Sequence, residues 1–278
     1  MYLPTGGIAF FDSGVGGLTV LHECITRGNG SLFYYYGDNQ NAPYGSLSSE
    51  RIYAYTQRAL DMFHVLQSSA VVLACNTVTA VCAEKLRKQY PFPIIGAEPA
   101  ILPACARGGK VLVLATPATC QSEKFARLCD KARAKYPSAE LVIHPCPHLA
   151  RAIEQGGKDM NFDISIHIST TPVSSVVLGC THYIYIKERI KSVFSCPVFD
   201  GNLGISTRLS TVLSAQNRED LSTKKDGFIH ICGKSRDRQP LFSTVTLKSG
   251  KTAKIYFLGA CARINKAFYE QMFAIPCK

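Results

Sequence analysis

Short apolar runs alternate with longer amphipathic segments along most of the chain. Each run is rich in branched or aromatic residues and is too short for a helix, so the runs predict β-strands. They are GIAFF (7–11), LFYYYG (32–37), AVVLAC (70–75), PIIG (93–96), KVLVLA (110–115), LVIHP (141–145), SVVLGC (175–180), CPVF (196–199) and FIHIC (228–232).

The segments between these runs have the length and spacing of helices. Residues 48–69 and 76–90 are the clearest, and the second carries an apolar stripe at Val78, Val81 and Leu86. Strands that are apolar on both faces and alternate with helices are typical of parallel sheets covered on both sides. The pattern therefore predicts an α/β protein.

One strand pattern occurs twice. VVLACNT at 71–77 returns as VVLGCTH at 176–182, which places Cys75 and Cys180 after equivalent strands, 105 residues apart. A free cysteine is commonly a small buried apolar residue, and core packing is the plain interpretation of either one alone. However, ligands of open α/β sheets bind at the carboxyl ends of the strands. Two similar halves facing each other would direct both thiols into one cleft.

The loop after the first strand, DSGVGG, also has the composition of a binding site. Asp12 supplies a carboxylate and Ser13 a hydroxyl, and the glycines permit close approach of a ligand. Thr19 stands where a dinucleotide fingerprint needs glycine, and the lysine of a phosphate-binding loop is absent. The loop therefore suits a small anion near a helix N-terminus, although an ordinary helix cap would have the same composition.

Other predicted strand ends carry small polar groups as well. Tyr44 and Gly45 lie in the loop before residue 48, and Thr116 and Thr119 follow the strand KVLVLA. Glu154 lies late in a short helix that Gly156 and Gly157 should end.

Paired thiols leave three kinds of chemistry open. They can form a redox disulfide, one can be a nucleophile assisted by a base, or they can be a proton-transfer pair. A proton-transfer pair would act on opposite faces of a carbon atom, and cysteine suits the task because its environment can tune its pKa.

Composition narrows the class of protein. The chain has 278 residues, 46% hydrophobic and 18% charged, with no apolar run long enough to span a membrane. It begins without a recognisable signal peptide, so the expected location is cytoplasmic. The 12 cysteines form no C-x-x-C pair, which favours free thiols in a reducing compartment. The nearest approach to a metal motif, HPCPH (144–148), has no usual zinc spacing, and no metal is expected.

The net charge of +11 attracts anions in general, and nucleic acid is one possibility. Because the charges are spread singly or in short groups such as KLRK and TKKD, they resemble solvated faces and loops. Nucleic acid is therefore an unlikely partner, and small dianionic substrates are an equally good use of the charge.

Several motifs in order along residues 8–200 are similar to those of glutamate racemase, a family of the aspartate/glutamate racemase superfamily. They are FDSGVGGLTVL, YYYGD with APYG, ACNT, GAEPA, ATPAT, CPHLARAIEQG and LGCTHY. The resemblance implies two pseudo-symmetric α/β domains, the first formed by 1–97 plus 210–278 and the second by 98–209. The active site would lie in the cleft between them.

The resemblance also implies the activity and the roles of residues. Such an enzyme interconverts L- and D-glutamate without a cofactor and supplies D-glutamate for peptidoglycan. Cys75 and Cys180 would exchange the α-proton, with Asp12 on the Cys75 side and His182 and Glu154 on the Cys180 side. Substrate-binding positions would be Asp12, Ser13, Tyr44, Gly45, Asn76, Thr77, Thr116, Thr119, Thr181 and His182. A homodimer is the expected assembly.

Three departures from the family pattern concern oligomer contacts and substrate affinity more than chemistry, and two alternatives stay open. In DNQNAPYG, Asn39 and Gln40 replace the residues that are usual in the family. In CTHYIYI, the usual Pro-Leu after the tyrosine is replaced. Beyond about residue 220 the resemblance is faint. A racemase for aspartate or another amino acid is the first alternative, since one methylene gives modest discrimination. A binding or regulatory protein on the same fold, acting on DNA or gyrase, is the second.

Overall fold

The computed structural model describes residues 2–156, 172–219, 228–230, 241–246 and 250–273. The strands are β1 (Tyr2–Pro4), β2 (Ile8–Asp12), β3 (Leu32–Gly37), β4 (Ala70–Leu73), β5 (Ile94–Gly96), β6 (Gly109–Ala115), β7 (Ala139–Pro145), β8 (Ser175–Gly179), β9 (Val198–Phe199), β10 (Phe228–His230), β11 (Phe242–Thr246) and β12 (Thr252–Leu258).

The α-helices are α1 (Leu18–Thr26), α2 (Ser49–Val65), α3 (Asn76–Arg87), α4 (Ile101–Cys105), α5 (Pro117–Cys120), α6 (Glu123–Lys135), α7 (Leu149–Gly156), α8 (Lys187–Phe194), α9 (Asn202–Glu219) and α10 (Ala262–Met272). Short 3-10 helices cover Asn39–Asn41, Tyr44–Ser46 and Thr181–Ile186. Within the described residues, no helix has the length and apolar character needed to cross a bilayer.

Two mainly parallel sheets form the framework, which confirms the predicted α/β class. The first sheet has the strand order β11-β12-β3-β2-β4-β5, and only β11 is antiparallel to its neighbour. The second has the order β7-β6-β8-β9 and is parallel throughout. Strands β1 and β10 form a separate antiparallel pair.

Alternate residues of each parallel strand enter opposite layers of the core. Phe10 of β2 packs in one buried cluster of the first sheet, and its neighbour Phe11 packs in another. In the second sheet, Val113 and Leu114 of β6 divide in the same way. Both faces are therefore covered by helices, as the continuous apolar runs predict.

The chain passes between the two sheets after β5 and again after β9. Helix α4 packs on the second sheet, whereas α9 packs against α1, β4 and β5 of the first. The two crossings touch, because a Cβ placed on Gly201 would lie 2.6 Å from the carbonyl oxygen of Glu98. The domain limits given above remain a prediction, and the one at 209/210 falls inside α9.

The C-terminal region adds an element that the sequence patterns did not predict. Strand β12 pairs in parallel with β3 and extends the first sheet, and β11 forms its edge. Of the predicted strand 228–232, residues Phe228–His230 form β10, and the last two positions lie outside the described residues.

Candidate active site

The two cysteines lie at the carboxyl ends of equivalent strands in the two sheets. Cys75 follows β4 and precedes α3, while Cys180 follows β8 and precedes the 3-10 helix Thr181–Ile186. Both are buried, and Cys180 is close enough to contribute to the raised pKa of Cys75. The fold therefore brings both thiols to one region, as the repeated VVL-small-Cys pattern suggests.

The surroundings of Cys75 keep its thiol protonated. Burial, the nearby Asp12 carboxylate and the charge of Cys180 raise its pKa to about 12. Ser13 Oγ lies 3.6 Å from the Cys75 sulfur and forms a hydrogen bond with it. At neutral pH this side of the site therefore holds a proton on sulfur.

Three side chains, those of Glu154, His182 and Cys180, form a chain of contacts that is called the relay below. His182 Nδ1 lies 3.7 Å from the Cys180 sulfur, and His182 Nε2 lies 2.9 Å from Glu154 Oε1. Burial alone would lower the pKa of His182, but the interactions with Cys180 and Glu154 outweigh it and raise that pKa well above its usual value. His182 therefore holds its proton near neutral pH, and its ring lies beside the Cys180 sulfur.

Asp12 lies between these two groups. Its Oδ1 accepts a hydrogen bond from Gly14 N at 2.8 Å, and its Oδ2 accepts one from Thr181 Oγ1 at 3.2 Å. Burial raises the pKa of Asp12, whereas His182 and these hydrogen bonds oppose the shift. Asp12 therefore acts on Cys75 and also contacts Thr181 and His182, which follow Cys180 in the chain.

The glycines of the loop after β2 allow the relay to approach it. A Cβ on Gly14 would overlap Glu154 Oε1, and one on Gly16 would lie 2.6 Å from His182 Nδ1. A Cβ on Gly17 would lie 2.6 Å from that of Asp12. The glycine pattern is thus explained by close packing against the side chains around Cys180 and Asp12.

Three predicted substrate-binding threonines form one cluster of hydroxyls. Thr116 Oγ1 lies 2.9 Å from both Thr77 Oγ1 and Thr119 Oγ1, which joins α3 of the first sheet to the end of β6 in the second. A Cβ on Gly45 would lie 3.0 Å from Thr116 Cβ, so Gly45 adjoins the cluster.

Two further predicted substrate-binding residues, Tyr44 and Asn76, differ in their hydrogen bonding. The Tyr44 hydroxyl donates to Asp38 Oδ2 at 2.6 Å, and burial together with that bond raises its pKa. Asn76 is 8% exposed, and its Oδ1 has no hydrogen-bond partner. An unpaired buried acceptor at the start of α3 is suited to a donor such as an ammonium group.

Two tyrosines that bind carbonyl groups of the glycine-rich loop after β2 were not predicted from the sequence. Tyr35 of β3 donates to Gly14 O, and Tyr185 of the 3-10 helix donates to Val15 O, each at 2.7 Å. Tyr185 lies in CTHYIYI, which departs from the family pattern, but the sequence does not show that its partner is Val15, 170 residues away. Tyr35 looked like an ordinary strand residue.

Metal-ligating residues do not gather anywhere in the described part of the chain. No group of three or more His, Cys, Asp or Glu side chains there has the arrangement of a metal site. His144 and Cys146 of the HPCPH segment belong to the end of β7 and the residues after it, and Cys146 is buried with its thiol directed to His144 O.

The fold and the paired thiols define a class of enzyme, and comparison with known proteins supplies the family. The family model described as Asp/Glu/Hydantoin racemase matches residues 27–203. The chain therefore belongs to this family and is an amino-acid racemase, an isomerase.

Within this family the similarity is to glutamate racemases, which confirms the resemblance found in the sequence. The glutamate racemase of Clostridium botulinum (strain Kyoto / Type A2) is 41% identical over 221 residues, covering 76% of this chain and 84% of the relative. A structure of the Francisella tularensis enzyme in complex with D-glutamate matches with a TM-score of 0.64 and 25% identity, covering 79% of this chain and 85% of that one. The Escherichia coli enzyme, in complex with L-glutamate and activator UDP-MurNAc-ala, matches with a TM-score of 0.64 and 26% identity over 76% of this chain and 83% of that one.

Proposed function

We propose that this chain interconverts L- and D-glutamate without a cofactor, by proton transfer between two thiols. The observation that carries the proposal is the placement of Cys75 and Cys180 at matching strand ends of two sheets, one with a protonated thiol and the other beside an imidazole of raised pKa. The choice of glutamate is supported by relatives that bear the name glutamate racemase.

In the proposed reaction one thiolate removes the α-proton and the other thiol returns a proton to the opposite face. The C–H electron pair becomes the carbanion lone pair and then forms the new C–H bond, so no electrons are gained or lost. After one turnover the two sulfurs have exchanged protonation states. A pair of this kind can work in both directions, as racemisation requires.

The two sulfurs have different surroundings, which suggest their roles. Cys180, beside His182, is assigned as the base for one enantiomer, and Cys75, whose pKa is raised, is assigned as the acid. For the other enantiomer the roles reverse. Asp12 lies beside Cys75 and influences its protonation through the charge of the carboxylate.

Substrate recognition is assigned to the polar groups around the cleft. Hydroxyls of the threonine cluster and the amides at the start of α3 would bind carboxylates, since a helix N-terminus favours anions. The unpaired Asn76 Oδ1 would accept from the α-ammonium group. The remaining proposed contacts are Ser13, Tyr44, Gly45, Thr181 and His182.

The decisive experiment follows α-proton exchange in deuterated buffer by NMR and optical activity by circular dichroism. The dialysed protein is supplied with L-glutamate, D-glutamate or L-aspartate. We expect exchange with loss of optical activity for glutamate, and a fall of about a hundredfold or more in kcat for Cys75→Ala and Cys180→Ala, because each removes a general acid or base.

Matched controls separate this role from the loss of any buried thiol. Each sheet with its helices is called a lobe here. Cys82 on α3 is buried in the first lobe and Cys129 on α6 in the second, and the Cys82 thiol is directed to Val78 O. Cys82→Ala and Cys129→Ala should retain turnover within about twofold, while folding of all four variants is checked by thermal unfolding. Normal turnover in either cleft variant would remove that cysteine from the mechanism, and activity on aspartate alone would change the substrate.

The cellular role proposed here is supply of D-glutamate for peptidoglycan. The cytoplasmic location and the homodimer remain predictions from the sequence and its family resemblance. Sedimentation of the purified protein would test the assembly directly.

A further inference from the structure

Tyr185 joins the two lobes at the active site. It lies on the 3-10 helix that follows Cys180, and its ring packs against the core of the first sheet as well as that of the second. The ring meets Phe268 of α10 edge-on, with centroids 5.3 Å apart. Its hydroxyl donates to Val15 O at 2.7 Å. Burial and the charges of Asp12 and Glu154 raise the pKa of Tyr185, so the donor keeps its proton.

The residue that Tyr185 holds is itself a partner of the relay. Val15 N donates to Glu154 Oε1 at 3.3 Å, and the same oxygen lies 2.9 Å from His182 Nε2. His182 in turn faces the Cys180 sulfur. A continuous path therefore runs from the Tyr185 hydroxyl to the carbonyl of Val15, across that residue to its N–H, and on to Glu154, His182 and Cys180.

Tyr35 holds the same loop from the first sheet. It lies on β3 and donates to Gly14 O at the same distance of 2.7 Å. The Gly14 carbonyl and the Val15 N–H belong to one peptide unit, so Tyr35 fixes the peptide that donates to Glu154 and Tyr185 fixes the next one. Two tyrosine hydroxyls thus fix adjacent carbonyls of one loop, and only Tyr185 does so from the opposite lobe.

We propose that Tyr185 is a positioning residue that fixes the Val15 carbonyl from the opposite lobe, and thereby holds the Val15 residue whose N–H keeps Glu154 in contact with His182. The hydroxyl does not touch the reacting sulfur and acts through the loop. When the hydroxyl is absent, Val15 is free to withdraw, and the partly exposed Glu154 side chain can turn away from the imidazole. This inference rests on the proposed racemase mechanism for its effect on turnover, but its structural part is independent of the substrate.

Phenylalanine variants isolate the hydroxyl groups. Tyr185→Phe keeps the ring packing and removes one hydrogen bond. Tyr34→Phe makes the same chemical change on β3, where the hydroxyl donates to Pro4 O and not to the loop. The first measurement is the pH titration of His182 by NMR without substrate, with its signal assigned through His182→Gln. Among the described residues, the ionisable groups that act on His182 are Cys180, Glu154 and Asp12, and none is altered in either variant.

For Tyr185→Phe we expect the titration midpoint of His182 to fall by about half a pH unit, because the stabilising contact with Glu154 weakens. For Tyr34→Phe we expect the midpoint to stay in place, because its hydroxyl does not bind the loop. In glutamate racemisation, kcat of Tyr185→Phe should fall about three- to tenfold, and the basic limb of its pH profile should move to lower pH.

The outcomes separate the two hypotheses. An unchanged His182 midpoint in Tyr185→Phe, or an equal shift in both variants, would overturn the positioning role. A selective shift with a wild-type protein that does not racemise glutamate would support the positioning role and reject the proposed function. A loss of thermal stability without a selective shift would assign Tyr185 to packing alone.

Discussion

Gly14→Ala is expected to disable the relay beside Cys180 while leaving the fold intact. A Cβ at this position would overlap Glu154 Oε1, lie 2.9 Å from Glu154 Cδ and lie 3.3 Å from His182 Nε2. Ordinary carbon contacts are about 3.5–4.0 Å, so the carboxylate must move away. The clash falls on the end of a flexible side chain and Gly14 has no left-handed φ, so the substitution is tolerated by the backbone.

The expected magnitude follows from the contacts that Glu154 loses. A hydrogen bond to a charged group contributes about 1.5–3 kcal/mol, and the His182–Glu154 contact is largely buried. If that contribution is lost in the transition state, kcat falls by about 10- to 150-fold. The assay is glutamate racemisation by circular dichroism, with the free energy of unfolding measured by urea denaturation.

Two further variants make the result interpretable. Gly204→Ala is the control, because a Cβ there meets nothing within 4 Å, and alanine should stabilise α9 by about 0.5–1 kcal/mol without affecting turnover. Glu154→Gln alters the same carboxylate without a new steric contact. If Gly14→Ala is impaired while Glu154→Gln is fully active, the explanation through Glu154 is wrong.

The remaining predictions concern the two titrating groups of the cleft. Alkylation of Cys75 by iodoacetamide, followed by peptide mass spectrometry, should be slow at pH 7 and rise steadily to pH 10, because the pKa of Cys75 is raised to about 12. Asp12→Asn should accelerate it, and an unaltered rate would show that the carboxylate does not act on that sulfur. Because the pKa of His182 is raised in the folded state, its stabilising contribution is complete below about pH 6.5 and is lost as pH rises through the folded-state pKa. The difference in urea midpoint between wild type and His182→Gln should therefore shrink as the pH rises through the folded-state pKa of His182. A difference that stays constant from pH 6 to 9 would contradict the raised pKa.

The sequence by itself determined the α/β class and the positions of both cysteines. Strand periodicity and helix length are local properties, so runs such as 70–75 and 175–180 carry their own structural signal. The repeated pattern around Cys75 and Cys180 then places both thiols at carboxyl ends of parallel strands, whatever the rest of the chain does. The family motifs supplied the other proposed roles.

Tertiary structure alone decided which side chains meet across the cleft. The bond from Thr181 to Asp12 spans 169 residues, and the bond from Tyr185 to Val15 spans 170. No local pattern encodes such contacts, because they depend on how the two lobes pack. The same holds for β12, whose place beside β3 is set by pairing between distant strands. Sequence thus specified the chemical groups, and packing between the lobes specified their electrostatic partners.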